Sequence, residues 1–229
     1  MKKIQCIIIA RGGSKGLPGK NLLNVCGKPL LQWTIEQALD AKFISSIWVS
    51  SDSEQILDLS HKLGVKTIFR PDKFSNDIST SESAWLHAID YINEKEKSDI
   101  DVILAPQCTS PIRESKDFDE SITEFLSEDY DSLFSASLAT DFNLWRYDDK
   151  KKLFSYTYDY LKRGRRQEKP KQIVENGSFY IFKTNLLRET NNRLGGKIGA
   201  YIMELWKSFQ IDEHSDLEFC ENLMKNYLK

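Results

Sequence analysis

The first 21 residues narrow the fold more than any other stretch, because an apolar, β-branched run over 3–10 breaks directly into a loop carrying Gly12, Gly13, Gly16 and Gly19. A short run of that composition predicts a buried strand. The loop then occupies the strand's carboxyl end, where open α/β sheets bind ligands. Four glycines let the main chain approach a ligand closely and turn its amides toward phosphate oxygens. Arg11, Lys15 and Lys20 add positive charge among them, which is chemistry suited to a triphosphate. A merely flexible basic loop has no need to abut a hydrophobic strand or to space its cations among glycines.

Further β-branched runs at 47–51, 67–70, 101–106 and 132–137 alternate with helical patterns at 30–41, 53–63, 81–95 and 117–128. That alternation predicts an α/β fold with a mostly parallel sheet flanked by helices. The first helix repeats Leu31, Thr34, Ile35 and Ala38 on one face, and Pro29 suits its start. Residues 142–172 differ, being rich in Tyr, Lys and Arg without a lasting period. They read as an excursion from the sheet that serves dimerisation or closes over a substrate. An alternating strand follows at 179–183, and a last helix at 214–228. With 229 residues the chain is expected to form one main core over 1–229.

Composition excludes several classes. Lys and Arg total 32 against 34 for Asp and Glu, a balance of -2 that gives no bulk attraction to nucleic acid or an anionic membrane. Any anion site must be local. Cys6, Cys26, Cys108 and Cys220 are widely spaced and form no CxxC pair, so neither a zinc site nor a disulfide framework is predicted. The apolar run at 4–10 is too short for a signal peptide or a membrane span. A cytoplasmic location is the expectation. His61, His87 and His214 are scattered and suggest no nucleophilic triad, and Glu213 and Asp216 read as solvated charges at a helix start.

Two familiar phosphate loops fail by spacing. The Walker pattern needs a glycine five positions before Gly19 and a Ser or Thr after the lysine, where the chain has Ser14 and Asn21. The dinucleotide pattern GxGxxG is absent, since Gly12 and Gly13 are adjacent and Gly16 stands alone.

The segment Ile8-Ile9-Ala10-Arg11-Gly12-Gly13-Ser14-Lys15-Gly16, with Lys20-Asn21, instead resembles the opening of the sugar nucleotidylyltransferases. Within them it is similar to the acylneuraminate cytidylyltransferase family, the CMP-sialic acid synthetases, with Ile9 where that family usually has proline. The resemblance continues through Gly27-Lys28-Pro29-Leu30, Val49 to Glu54, Arg70-Pro71 and Asn76 to Ser81. Gln107-Cys108-Thr109-Ser110-Pro111-Ile112-Arg113 is similar to the family's QPTSPLR, with Cys108 in place of a proline, and Arg166-Gln167, Glu175 to Tyr180 and Ile211-Asp212 follow.

The resemblance implies a Rossmann-like fold with a small dimerisation element, a homodimer, and transfer of CMP from CTP to an acidic sugar with release of pyrophosphate. Arg11, Ser14 and Lys20, with the Gly12 and Gly13 amides, would hold the triphosphate. Asn21 and Ser81 would hold the nucleoside, although Ser81 also suits a helix cap. Gln107, Thr109, Ser110, Arg166, Gln167 and Asn176 would serve the sugar, although Gln107, Thr109 and Ser110 also suit a turn closed by Pro111. Three guanidinium groups at Arg163, Arg165 and Arg166 suit a carboxylate, although such a run also suits a solvated basic surface or a dimer contact, and only Arg166 lies on the family's Arg-Gln pair. Catalysis would rest on Arg11, Lys20 and Asp212 with Mg²⁺ or Mn²⁺. The family supplies an Asp-x-Asp pair here, whereas this chain reads Gln210-Ile211-Asp212. Asp212 alone would ligate the metal; the bland alternative makes it a carboxylate at the helix start, with His214 or Ser215 as rival caps. Rival readings are 3-deoxy-manno-octulosonate as acceptor, another nucleotide donor, or a catalytically weak nucleotide-binding paralogue.

Overall fold

The apolar run at the head of the chain is strand β1 (Ile4–Ile9), at the heart of a seven-stranded sheet. The computed structural model describes residues 4–14, 16–139, 142–165, 167 and 171–228. Strands β2 (Asn24–Val25) and β3 (Lys28–Pro29) pair apart from this sheet, and on one side β1 pairs in parallel with β4 (Ser46–Ser51), which pairs in parallel with β5 (Lys66–Phe69). On the other it pairs in parallel with β6 (Val102–Pro106). Strand β10 (Ile173–Lys183) runs antiparallel to β6 and to β7 (Ser132–Leu138). The edge beyond β7 is β11 (Ile198–Met203), parallel to it.

Side chains of β1 alternate between two apolar layers, as strand geometry requires. Cys6 and Ile8 face a layer built with Leu31 and Ile35 of α1 (Leu30–Leu39) and Phe118, Ile122 and Phe125 of α4 (Ser115–Ser127). Ile7 faces the opposite layer, with Trp85, Ile89 and Ile92 of α3 (Ser81–Glu96). Burying each such Leu, Ile or Phe stabilises the fold by roughly 2 kcal/mol. The helix α2 (Glu54–Lys62) follows β4. A third cluster bears on the site: Cys220 and Met224 of α6 (His214–Tyr227) pack with Leu17, Leu30 and Ile211. It ties the last helix to the glycine-rich loop.

Differences from the sequence expectation have local causes. The edge strand β11 lies among Gly195, Gly196 and Gly199, in a stretch where the sequence pattern predicts no element, and it is exposed at Ile198 and Ile202. Strand β10 starts at Ile173 rather than 179, and a register shift against β7 between Glu175 and Tyr180 interrupts the alternation of its first half. Gly177, at φ +66°, occupies that irregularity. The short helix α5 (Thr184–Thr190) follows directly. Thr80, not Ser81, caps α3, its Oγ1 accepting from the Ser83 amide at 3.2 Å. Glu213 and Asp216 are not merely solvated: they form a capping box on α6, in which Asp216 accepts from the amides of Asp212 and Glu213 at 2.9 and 2.8 Å. That places neither Asp212, His214 nor Ser215 in the cap.

Within 142–172, Trp145–Tyr147 and Leu153–Ser155 form a separate antiparallel hairpin, β8 and β9. Phe142, Leu144, Tyr147, Tyr156 and Leu161 are exposed on this part of the chain. The four cysteines are free, and burial raises the thiol of Cys108 to about 11, so it is a neutral, inert thiol at neutral pH. No helix among the described residues is long and apolar enough to cross a membrane.

Candidate active site

The carboxyl ends of β1, β4 and β6 converge on one hollow, and local hydrogen bonds set its walls. The Ala10 amide donates to the Ser50 carbonyl at 3.0 Å, carrying the pairing of β1 with β4 one step past the strand. Gly12 then donates its amide to Asp52 Oδ1 at 2.9 Å. A Cβ at position 12 would lie 2.9 Å from the Ser53 Cβ, so this approach needs glycine. Gly16 runs just as close to α6: a Cβ there would meet the Asp212 carbonyl oxygen at 2.6 Å. Gly19, at φ +65°, opens the short turn Lys20–Leu22. In that turn Asn21 is buried and donates Nδ2 to the Arg11 carbonyl at 2.9 Å.

The turn aims Lys20 at Asp212, with Nζ 2.8 Å from Oδ1. The lysine is mostly covered and the carboxylate is 62% exposed. Arg11, Ser14, Lys20, Ser81, Gln107 and Thr109 all line a cavity of about 220 Å³, to which Asn21 also contributes. A neighbouring cavity of about 280 Å³ shares Ile9, Arg11 and Ser81 and continues to Arg70, Phe74 and Asp77. Arg11 Nη1 stands 3.2 Å from Asp77 Oδ1. Arg70 is 3% exposed, and its guanidinium donates to the Ser50 carbonyl at 3.1 Å and to Ser75 Oγ at 3.1 Å. Burial draws its pKa below the usual value, with nearby Asp52 opposing; a guanidinium stays cationic regardless.

A second buried guanidinium shapes the opposite wall. Arg113 donates Nη1 to the carbonyls of Gln107, Ser110 and Ser178 at 3.0, 2.6 and 3.1 Å, and Nη2 to Thr34 Oγ1 at 2.6 Å. Burial lowers its pKa to about 10, so it remains charged at neutral pH. Gln37 Nε2 holds the carbonyls of Pro111 and Arg113 at 2.8 Å each. The loop from Gln107 to Arg113 is therefore a fixed wall, because its carbonyls are claimed from below. It joins the start of α6 through the Ile211 amide, which donates to the Thr109 carbonyl at 2.8 Å.

The residues singled out in the sequence fall into three groups. Arg11, Ser14, Lys20, Asn21, Ser81, Gln107 and Thr109 share one cavity wall, with Gly13 on the adjoining loop and Asp212 joined through Lys20; the Gly12 amide, expected at the phosphates, is instead given to Asp52. Ser110 and Asn176 lie beneath that wall. Ser110 Oγ donates to the Gly177 carbonyl at 3.2 Å, while Asn176 accepts from the Ser178 amide at 3.1 Å and donates to Ser137 Oγ at 3.3 Å. Their polar groups are spent inside the fold, so they shape the site from below. Gln167 is exposed and lines neither cavity; Arg166 and Lys15 lie outside the described residues. Arg70, Asp52 and Arg113 were given no role from the sequence. Their signal was there only as positions in matching segments, because burial and carbonyl contacts leave no periodic trace.

For a divalent metal, the described residues hold no group of three or more His, Cys, Asp or Glu that could form a cage. Magnesium is content with one or two carboxylates when phosphate oxygens and water complete its shell. Asp212, exposed and beside the cavity lysine, fits that lesser requirement.

Related proteins agree with this architecture. The chain is 35% identical to N-acylneuraminate cytidylyltransferase A of Danio rerio over 96% of its own length and 50% of the relative's, so it spans about half of that protein. It is 28% identical to pseudaminic acid cytidylyltransferase of Campylobacter jejuni, covering 96% of this chain and 95% of that one. Among solved structures, CMP:2-keto-3-deoxy-manno-octonic acid synthetase complexed with CTP superposes with a TM-score of 0.74 at 17% identity, over 99% of this chain and 100% of that one. At that identity the likeness speaks for the fold. A family profile described as Cytidylyltransferase matches residues 5–229, and the chain belongs to that family.

Proposed function

We propose that the chain joins CMP from CTP to an acidic 2-keto sugar of the sialic or nonulosonic type and releases pyrophosphate. The observation that carries the reading is the meeting of Lys20 and Asp212 at 2.8 Å on the wall of a cavity lined also by Arg11 and Ser14. Two cations, a hydroxyl and a carboxylate able to share a metal with phosphate oxygens together suit a nucleoside triphosphate. The neighbouring cavity, with the buried Arg70 on its wall, suits the nucleoside. The names of the relatives from Danio and Campylobacter support CMP transfer to an acidic nine-carbon sugar.

In this reading the sugar's anomeric hydroxyl attacks the α-phosphorus, the bond to the β-phosphate breaks, and pyrophosphate leaves with its electron pair. The hydroxyl proton passes to solvent. Charge grows on the phosphate oxygens, so placed cations supply most of the stabilisation. Lys20 and Arg11 face that charge. The wall at Gln107 and Thr109 orients the sugar, with Ser110 and Asn176 fixing it from behind. Arg166 is assigned the sugar carboxylate, a role that rests on its place in the Arg-Gln pair. Mg²⁺ or Mn²⁺, held by Asp212 and the nucleotide, would neutralise part of the phosphate charge.

The protein is proposed to act in the cytoplasm as a homodimer. Exposed Phe142 and Leu144 adjoin an apolar hollow of about 300 Å³ near Ile173 and Val174, a surface suited to a second copy. Pyrophosphate release, measured with four nucleoside triphosphates against a panel of acidic sugars that includes 3-deoxy-manno-octulosonate, tests the reading. Turnover is expected with CTP and a nonulosonic acid; preference for a neutral sugar phosphate would overturn it.

A further inference from the structure

The residue that departs from the family's acid pair is engaged in the structure, and by both ends of its side chain. Gln210 donates Nε2 to the Asn176 carbonyl at 3.0 Å, while its Oε1 accepts from Thr109 Oγ1 at 3.4 Å. The orientation of the amide is chemically fixed, since two carbonyl oxygens cannot face each other. Nε2 must meet Asn176, and Oε1 is left for Thr109. Gly177 completes the seat: a Cβ there would lie 2.7 Å from Nε2, and its φ of +66° already favours glycine. The amide thus bridges the irregular start of β10 to a cavity-lining residue, beside the main-chain bond from Ile211 to Thr109.

We propose that Gln210 is a positioning residue for the acceptor, fixing Thr109 in the cavity wall, and that an aspartate here would not serve in its place. This rests on the proposed function for its readout, though not for its geometry. A carboxylate cannot donate to the Asn176 carbonyl, and an aspartate is one methylene shorter. It would set charge against a carbonyl oxygen and release Thr109. Nε2 is a donor that cannot ligate a metal and Oε1 is turned toward Thr109, so on this reading the acid introduced in Gln210→Asp is expected to lose the wall without gaining a metal.

Gln210→Asp, Gln210→Glu and Gln210→Met are compared with the parent protein after thermal unfolding has shown which variants fold; Glu keeps the length and Met the shape. Each folded variant should raise the KM for the acidic sugar by about tenfold relative to any change in the KM for CTP, the scale of one lost positioning bond. Manganese binding, titrated by electron paramagnetic resonance in the presence of CTP, should be no tighter in Gln210→Asp than in the parent. A tenfold gain in manganese affinity, or an unchanged split between the two KM values, overturns the proposal. A stability cycle between Thr109→Val and Gln210→Met needs no turnover and should be non-additive. If the parent protein transfers no CMP to any acidic sugar, the functional reading fails while this cycle still decides whether Gln210 holds Thr109; additive losses overturn the bridge.

Discussion

Lys20 Nζ and Asp212 Oδ1 stand 2.8 Å apart across 192 residues of sequence. The contact joins the glycine-rich loop to the approach to α6, and so makes a single site from the two ends of the chain. It also sets the resting state of the lysine, whose charge faces a carboxylate. A triphosphate entering the cavity would compete for that cation, and a metal would compete for the carboxylate. Each partner then has a separable role.

Lys20→Ala is expected to reduce kcat with CTP by about 100-fold or more, the scale on which a lost charge-stabilising donor acts. The fold should persist, because the lysine lies on a cavity wall and contributes to none of the three apolar clusters. Steady-state pyrophosphate release, after circular dichroism, checks this. Near-normal turnover would remove Lys20 from the reaction.

Asp212→Asn keeps the shape and removes the charge. The Mg²⁺ concentration for half-maximal activity should rise about tenfold or more, since even outer partners of metal sites change affinity on that scale. A magnesium titration at saturating CTP reads it directly. Full activity in excess chelator would dispose of the metal model altogether.

Asp216 supports Asp212 from the backbone. The amides of Asp212 and Glu213 donate to its carboxylate and hold its pKa below the ordinary value of 3.8. The sign follows from linkage: a depressed folded value contributes stability above the unfolded value, and that contribution is lost as pH falls through the folded one. Asp216→Ala should cost about 1 kcal/mol near neutral pH, as loss of a helix cap does. Denaturant unfolding at neutral pH and again below about pH 3 should show the gap between parent and variant shrinking in acid. A gap independent of pH would mean that the carboxylate is not what holds the cap.

How legible the molecule was depended on the kind of signal. Strands β1, β4, β5, β6 and β7 were readable because each is a short apolar, β-branched or aromatic run between turn signals, and helices α1 to α4 and α6 because their apolar faces recur with the right period; α5 is too short to show such a period. Strand β11 was not, since an edge strand exposed at Ile198 and Ile202 among glycines looks like loop. The glycine loop from Gly12 to Lys20 was readable as a candidate phosphate loop, because close approach demands glycine and charge demands Lys or Arg. The ion pair between Lys20 and Asp212 could not, because nothing in local sequence relates residues that far apart. Arg70 and Arg113 were hidden for the converse reason. A surface arginine and a fully buried one read alike until the carbonyls around them are known.

Arg70 carries the last prediction, because it separates the two cavities by function. It reaches the second cavity from below while bonded to the Ser50 carbonyl and Ser75 Oγ. Burying a guanidinium is costly unless several oxygens share it, and here Ser50 and Ser75 take part of that load. Arg70→Lys keeps the charge but cannot reproduce a planar fork. The variant should therefore raise the KM for CTP about tenfold while moving the KM for the acidic sugar much less, on the scale of one charge-assisted hydrogen bond. Thermal unfolding and varied-substrate kinetics measured together distinguish a lost contact from a collapsed wall. If the loss falls on the sugar instead, the second cavity belongs to the acceptor and the assignment of nucleoside and sugar must be exchanged.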